Sequence, residues 1–294
     1  MKKLFNLLAA GLVLSCAQSP ANAQEHKEHI SKTIALPKAA SSCVLSLYNV
    51  FGAVKVEGYA GDKVIFEIDE TITAKDNTAL EKGKQEVKLG FEQVGDTLWA
   101  YTASPQDSRP HRQYYYNNHW DDDEEKEKIR YRYEFSYTVK VPFGMNINVS
   151  TVNNGDVTVK DVAGKLRVRN VNGAIDIINA KNTTDARTIN GHLSVNYLTN
   201  PTEASTYYTL NGKLTVVYQP GLSADLQFKS MNGQFYTDFP DIAILPKTVT
   251  KTAEKKGDGT LYKLNKGSDV RIGEGGKTFK FETLNGNIYI QKQS

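Results

Sequence analysis

Cysteine is nearly absent. Only Cys16 and Cys43 occur in 294 residues, which excludes a disulfide-stapled scaffold and a Cys-rich metal fold. Histidine is also scarce: His26, His29, His111, His119 and His192 lie scattered, with no His-Glu-x-x-His among them. Gly-x-Ser-x-Gly, a P-loop and Cys-x-x-Cys are missing too, which removes the commonest hydrolase, nucleotide and redox signatures. Beyond residue 23 no apolar run approaches the ~18 residues of a membrane-spanning helix. Neither charge dominates, since 36 Lys and Arg face 33 Asp and Glu. A near-neutral chain has no global pull toward nucleic acid or an anionic membrane.

What is present begins with a leader. Lys2 and Lys3, the short apolar run Leu4 to Leu14, and Ala21-Asn22-Ala23 read as a signal peptide over 1–23. Val13-Leu14-Ser15-Cys16 also resembles a lipobox, so lipidation at Cys16 stands as the alternative to cleavage after Ala23. Either route implies an extracytoplasmic protein: periplasmic, on the outer surface or secreted. Removing Lys2 and Lys3 lowers the formal charge from +3 to +1. Cys43 opens the apolar run Val44 to Tyr48 and reads as a small buried hydrophobe. Residues 24–32 are polar and read as a flexible tail. His26 and His29 have no further ligand nearby, so no metal or cofactor site is expected there or elsewhere.

Residues 33–294 read as one elongated all-β domain built on a recurring phrase: apolar-Asn-Gly, one residue, then apolar-x-apolar. Its corners are Asn172-Gly173, Asn190-Gly191, Asn211-Gly212, Asn232-Gly233 and Asn285-Gly286, with Asn154-Gly155 slightly out of register. From Gly155 to Gly233 the glycines are separated by 18, 18, 21 and 21 residues. A period near 20 is the signature of stacked repeats, and each step has room for two short strands and two turns. The expected fold is therefore a β-solenoid or β-helix-like stack, with Gly supplying positive φ at each corner and Asn bonding to the next layer. An antiparallel meander of Asn-Gly hairpins is the competing architecture.

Other stretches depart from the repeat. Asp76 followed by Asn77 to Gly90 predicts one short helix in the N-terminal part, weakened by Gly83. Ile129 to Pro142 predicts a strand with Tyr131, Tyr133, Phe135 and Tyr137 on alternate positions. Residues 104–128 carry Tyr114, Tyr115, Tyr116, Trp120 and the acidic run Asp121 to Glu125, and read as an exposed loop. Its aromatics are the candidate ligand contacts, the alternative being that they fold back over the flank. Residues 239–276 read as an excursion before the last repeat. The polar end Gln291 to Ser294 would then blunt the outer edge of the final layer.

The order of these features resembles the putative-adhesin β-strand-repeat family, also described as DUF4097-like. The likeness rests on the Asn-Gly phrases, on Gly52 to Gly58 (Gly-x-Val-x-Val-x-Gly), and on Gly273 to Gly276 followed by Thr283-Leu284-Asn285-Gly286. Phe51 departs from it, standing where the other copies carry Asn. The resemblance implies a solenoid-like fold outside the cytoplasm and supplies no catalytic residues. Three function classes follow: an adhesin-like binding or display scaffold for a glycan or envelope protein, a self-associating structural component, or a glycan-cleaving β-helix enzyme. The first is the reading adopted, without enzymatic activity.

Overall fold

The computed structural model describes residues 24–105, 129–240, 242–245, 251–256, 259–264 and 268–294. Cys16, Tyr114, Tyr115, Tyr116 and Trp120 lie outside them. The described chain is mostly strand, arranged as two large mixed sheets, with one α-helix. No helix among the described residues is long and apolar enough to cross a membrane.

One sheet has ten strands and the other eleven. Each repeat places one strand in each. Thr184–Asn190 lies in the eleven-stranded sheet; the chain turns at Gly191 and continues as Leu193–Tyr197 in the ten-stranded one. Consecutive copies then pair in parallel and in register, as in Leu193↔Leu214 and Asp185↔Thr206. Asn-Gly is thus a corner between sheets, not the two-residue turn of a hairpin. Alternation does the rest: Leu193, Val195 and Tyr197 point inward from one sheet, and Thr184, Ala186 and Thr188 from the other, all fully buried.

The order of layers is not the order of the sequence. Thr278–Asn285 lies between Thr206–Asn211 and Ala224–Asn232, and Ile288–Lys292 lies between Leu214–Tyr218 and Phe235–Thr237. The last repeat is therefore interior, and Gln291 and Lys292 do not blunt an outer edge. Aromatic packing favours this arrangement. Phe281 stacks between Tyr207 (4.9 Å between centroids) and Phe228 (5.2 Å), while Tyr218 stacks on Phe279 (5.7 Å).

The N-terminal segment is a strand and not a flexible tail. Gln24–Ala35 spans 12 residues and pairs antiparallel with Lys63–Ala74 along its whole length. Its two-residue periodicity is faint because only Ile30 and Ile34 pack against the core. The helix forms at Asn77–Glu86, where the Asp76 carboxylate accepts from the Ala79 N–H at 2.8 Å. Gly83 has a packing reason: a Cβ there would lie 2.9 Å from the Tyr131 ring. Beyond the helix, Lys88–Val94 is a strand. Cys43 is fully buried and unpaired, and Tyr131, Tyr133, Phe135 and Tyr137 all face the core.

Candidate binding surface

The corner residues form a ladder. Asn172 Nδ2 donates to Asn153 Oδ1 (2.7 Å), Asn190 to Asn172 (2.8 Å), Asn211 to Asn190 (2.9 Å), Asn285 to Asn211 (2.7 Å) and Asn232 to Asn285 (2.8 Å). Asn153, not Asn154, takes the sixth position, because Asn154 is an extra residue at φ 60°. The ladder ends where Phe51 bridges to Asn153 and packs edge-on against Tyr133 at 5.2 Å.

The corner glycines are needed for a different reason than positive φ. Gly155, Gly173, Gly191, Gly212, Gly233 and Gly286 are not among the residues with that conformation. Instead, a Cβ on Gly173 would lie 2.3 Å from the Gly155 carbonyl oxygen, and one on Gly212 would lie 2.0 Å from that of Gly191. The stacked backbones leave no room for a side chain.

A second, buried ladder lies beside the first. Thr188 Oγ1 donates to the Gly173 carbonyl (2.8 Å), Thr209 Oγ1 to Gly191 (2.9 Å), and Asn170 Nδ2 to Gly155 (3.0 Å). Its signal in the sequence is a small polar residue two places before each corner Asn, which the apolar-Asn-Gly phrase does not include. We expect Thr209→Val to cost about 1–3 kcal/mol, because it leaves a buried carbonyl without this donor. Urea denaturation beside the wild type measures it; an unchanged midpoint would show the ladder to be energetically idle. These corners hold the layers in register and carry no chemistry of their own.

Chemistry is displayed on the outer face of the eleven-stranded sheet. Register places Tyr101, Tyr48, Ser150, Arg169, Arg187 and Tyr208 in one row across six neighbouring strands. The adjacent row holds Trp99, Ser46, Asn148, Arg167, Asp185 and Thr206. Tyr48 and Trp99 stack at 5.7 Å, with their planes 9° apart. Asn148 Nδ2 donates to Ser46 Oγ at 3.0 Å beneath this surface.

The arginines are crowded. Arg169 is clamped, donating to Asp185 Oδ2 and, at 2.7 Å, to the Asp185 carbonyl. Burial, with Arg167 and Arg187 alongside, holds its pKa below the usual arginine value despite the Asp185 contact. Arg187 Nε reaches Asp185 Oδ1 at 3.3 Å. The Arg167 guanidinium is exposed and has no hydrogen-bond or ion-pair partner among the described residues. One carboxylate, that of Asp185, therefore pairs with two of the three guanidiniums. At the flanks, Glu92 accepts from the Tyr101 hydroxyl (2.5 Å) and Glu282 is paired with Lys229.

The two tail histidines do not form a metal clip. They are three residues apart on a strand, so they point to opposite faces. Among the described residues no group of three or more His, Cys, Asp or Glu could hold a metal ion. His29 instead fastens the edge strand, with Nδ1 2.7 Å from Asp69 and Nε2 2.9 Å from Glu67. Hydrogen bonds to Asp69 and then Glu67 raise its pKa above 6.5. Because the folded value is raised, its contribution is fully present below pH 6.5 and lost as pH rises through the folded pKa. We expect the His29 ring resonances to titrate above pH 6.5, and Asp69→Asn to move that midpoint down. A wild-type midpoint at or below 6.5 would contradict the clasp.

No family model matches the chain, and no curated protein matches it. Solved structures that are similar include one described as a putative cell adhesion protein from Clostridium sporogenes, 9% identical over 91% of this chain and 100% of that one, at a TM-score of 0.44. A putative adhesin from Bacteroides fragilis is 9% identical over 90% and 97%, at 0.38. A putative lipid binding protein from Parabacteroides distasonis is 10% identical over 90% and 97%, at 0.23. Likenesses this distant carry no argument about what the present chain does.

Proposed function

We propose that this chain is an exported, non-catalytic binding scaffold of the cell envelope, wound as a solenoid-like coil. The coil is supported by the one-strand-per-sheet contribution of each repeat and by parallel pairing between neighbours. The observation that carries the binding role is the continuous row from Tyr101 through Arg169 and Arg187 to Tyr208, set on a rigid ladder. Rows of this kind present side chains at fixed spacing without the entropy cost of ordering a loop. The aromatics Tyr114, Tyr115, Tyr116 and Trp120 are the second candidate contact.

Binding of the exported chain to a glycan array and to envelope extract tests the role, beside a variant lacking residues 106–128. Binding that disappears with the deletion assigns the contact to residues 106–128; binding that persists assigns it to the sheet face. No binding by either form sinks the scaffold reading.

The alternative is a self-associating structural component. It is favoured by apolar exposure at the end built from 224–245, where Met231 is 76% and Ile244 81% exposed. Sedimentation that depends on protein concentration, and is abolished by Ile244→Asp, would select it.

A further inference from the structure

The outer face of the eleven-stranded sheet is specific enough to define a ligand class. We propose that it binds an acidic glycan, a sugar chain bearing carboxylate or sulfate groups, laid across the strands between Tyr48 and Tyr208. This rests on the scaffold reading and adds the chemistry of the ligand. Strands ~4.8 Å apart place these two tyrosines four steps, or ~19 Å, from each other, room for a short oligosaccharide.

Each part of the face has a counterpart in such a chain. The Tyr208 ring at one end and the stacked Tyr48–Trp99 pair at the other offer apolar ring surface to sugar rings. Between them, Asn148 and Ser150 supply an amide and a hydroxyl of matching polarity. At the centre, Arg167 and Arg187 present fork-shaped donors that match a carboxylate or sulfate in paired hydrogen bonds. Arg169 is tied to Asp185, which Arg187 reaches through Nε alone, so the Arg187 terminal nitrogens and the whole Arg167 fork face the ligand.

The charge argument favours a specific acidic group over a general polyanion. The whole chain is close to neutral, so it exerts little long-range pull on polyanions and local pairing with these guanidiniums decides binding. Neutral sugars would leave Arg167 without an ionic partner, and a nucleic acid would need a longer basic track than three guanidiniums.

The test is titration of the exported chain with an oligogalacturonate, a sulfated oligosaccharide, a neutral β-glucan oligosaccharide of equal length and an oligothymidylate. Arg167→Gln with Arg187→Gln is the diagnostic variant, since both side chains are largely exposed and the thermal midpoint reports whether the fold survives. Binding of an acidic oligosaccharide, none of the neutral one, and a loss of about tenfold or more in the variant is the expected result. Comparing the two acidic arms identifies which acid group is read. Oligothymidylate binding more tightly than either would overturn the glycan assignment. So would acidic-glycan binding that the variant leaves unchanged, although the scaffold reading would then stand. Binding of envelope extract with no affinity for any glycan does the same. Only a chain that binds nothing at all removes both.

Discussion

Truncation before Thr278 destabilises far more than the residues it removes. The lost segment supplies Phe279, Phe281, Ile288 and Ile290, all essentially buried, and burying each side chain contributes roughly 1.5–3 kcal/mol. Their sum, about 6–12 kcal/mol, is comparable to the whole stability of an ordinary domain, about 5–15 kcal/mol. The segment is also interior to both sheets, so its loss opens a gap instead of shortening an end. Ala224–Asn232 and Phe235–Thr237 lose their parallel partners together. Hydrogen exchange on the truncated chain should show collapse of protection throughout 224–237 and 206–218. Protection retained across 224–237 would mean that this layer docks directly on 206–218, and that the insertion is not required.

Replacing Gly286 with Ala should be among the most damaging single-methyl changes at the described glycines. A Cβ there would lie 1.9 Å from the Gly212 carbonyl oxygen, and that backbone is locked in the ladder on both sides. A flexible neighbour could move aside; a stacked carbonyl cannot without opening the layers. We expect a cost of about 3 kcal/mol or more, seen as a fall of roughly 6–12 °C in the thermal midpoint for a chain this size. Gly95→Ala is the control. Nothing lies within 4 Å of where its added methyl would sit, and its φ is +58°, so it carries only left-handed strain of about 1–2 kcal/mol. Equal effects at both positions would show that backbone conformation, not close approach, explains the corner glycines.

Much of the architecture was legible because each layer repeats a local rule. Alternation after every Asn-Gly marked the inward residues, such as Leu214 and Val216, and the period near 20 marked the layers. Asp76 marked the helix start for an equally local reason, its carboxylate meeting a backbone N–H three residues on. The edge strand Gln24–Ala35 was hidden because an exposed strand carries little periodicity. Its place depends on Lys63–Ala74, nearly 40 residues away. The outer binding face was hidden for a related reason: Tyr48, Arg169 and Tyr208 share a row, with Trp99 in the next, only through register between distant strands.

The sequence by itself determined the unit: two strands, a polar corner, an inner apolar face and glycines where backbones must touch. Only the tertiary structure decided the order of the units. The corner phrases at Asn211, Asn232 and Asn285 are interchangeable in hydrogen bonding, so a ladder built from any neighbours satisfies the same amides. What distinguishes the neighbours is aromatic packing between residues far apart in the chain, Phe281 between Tyr207 and Phe228, and no local pattern encodes that contact.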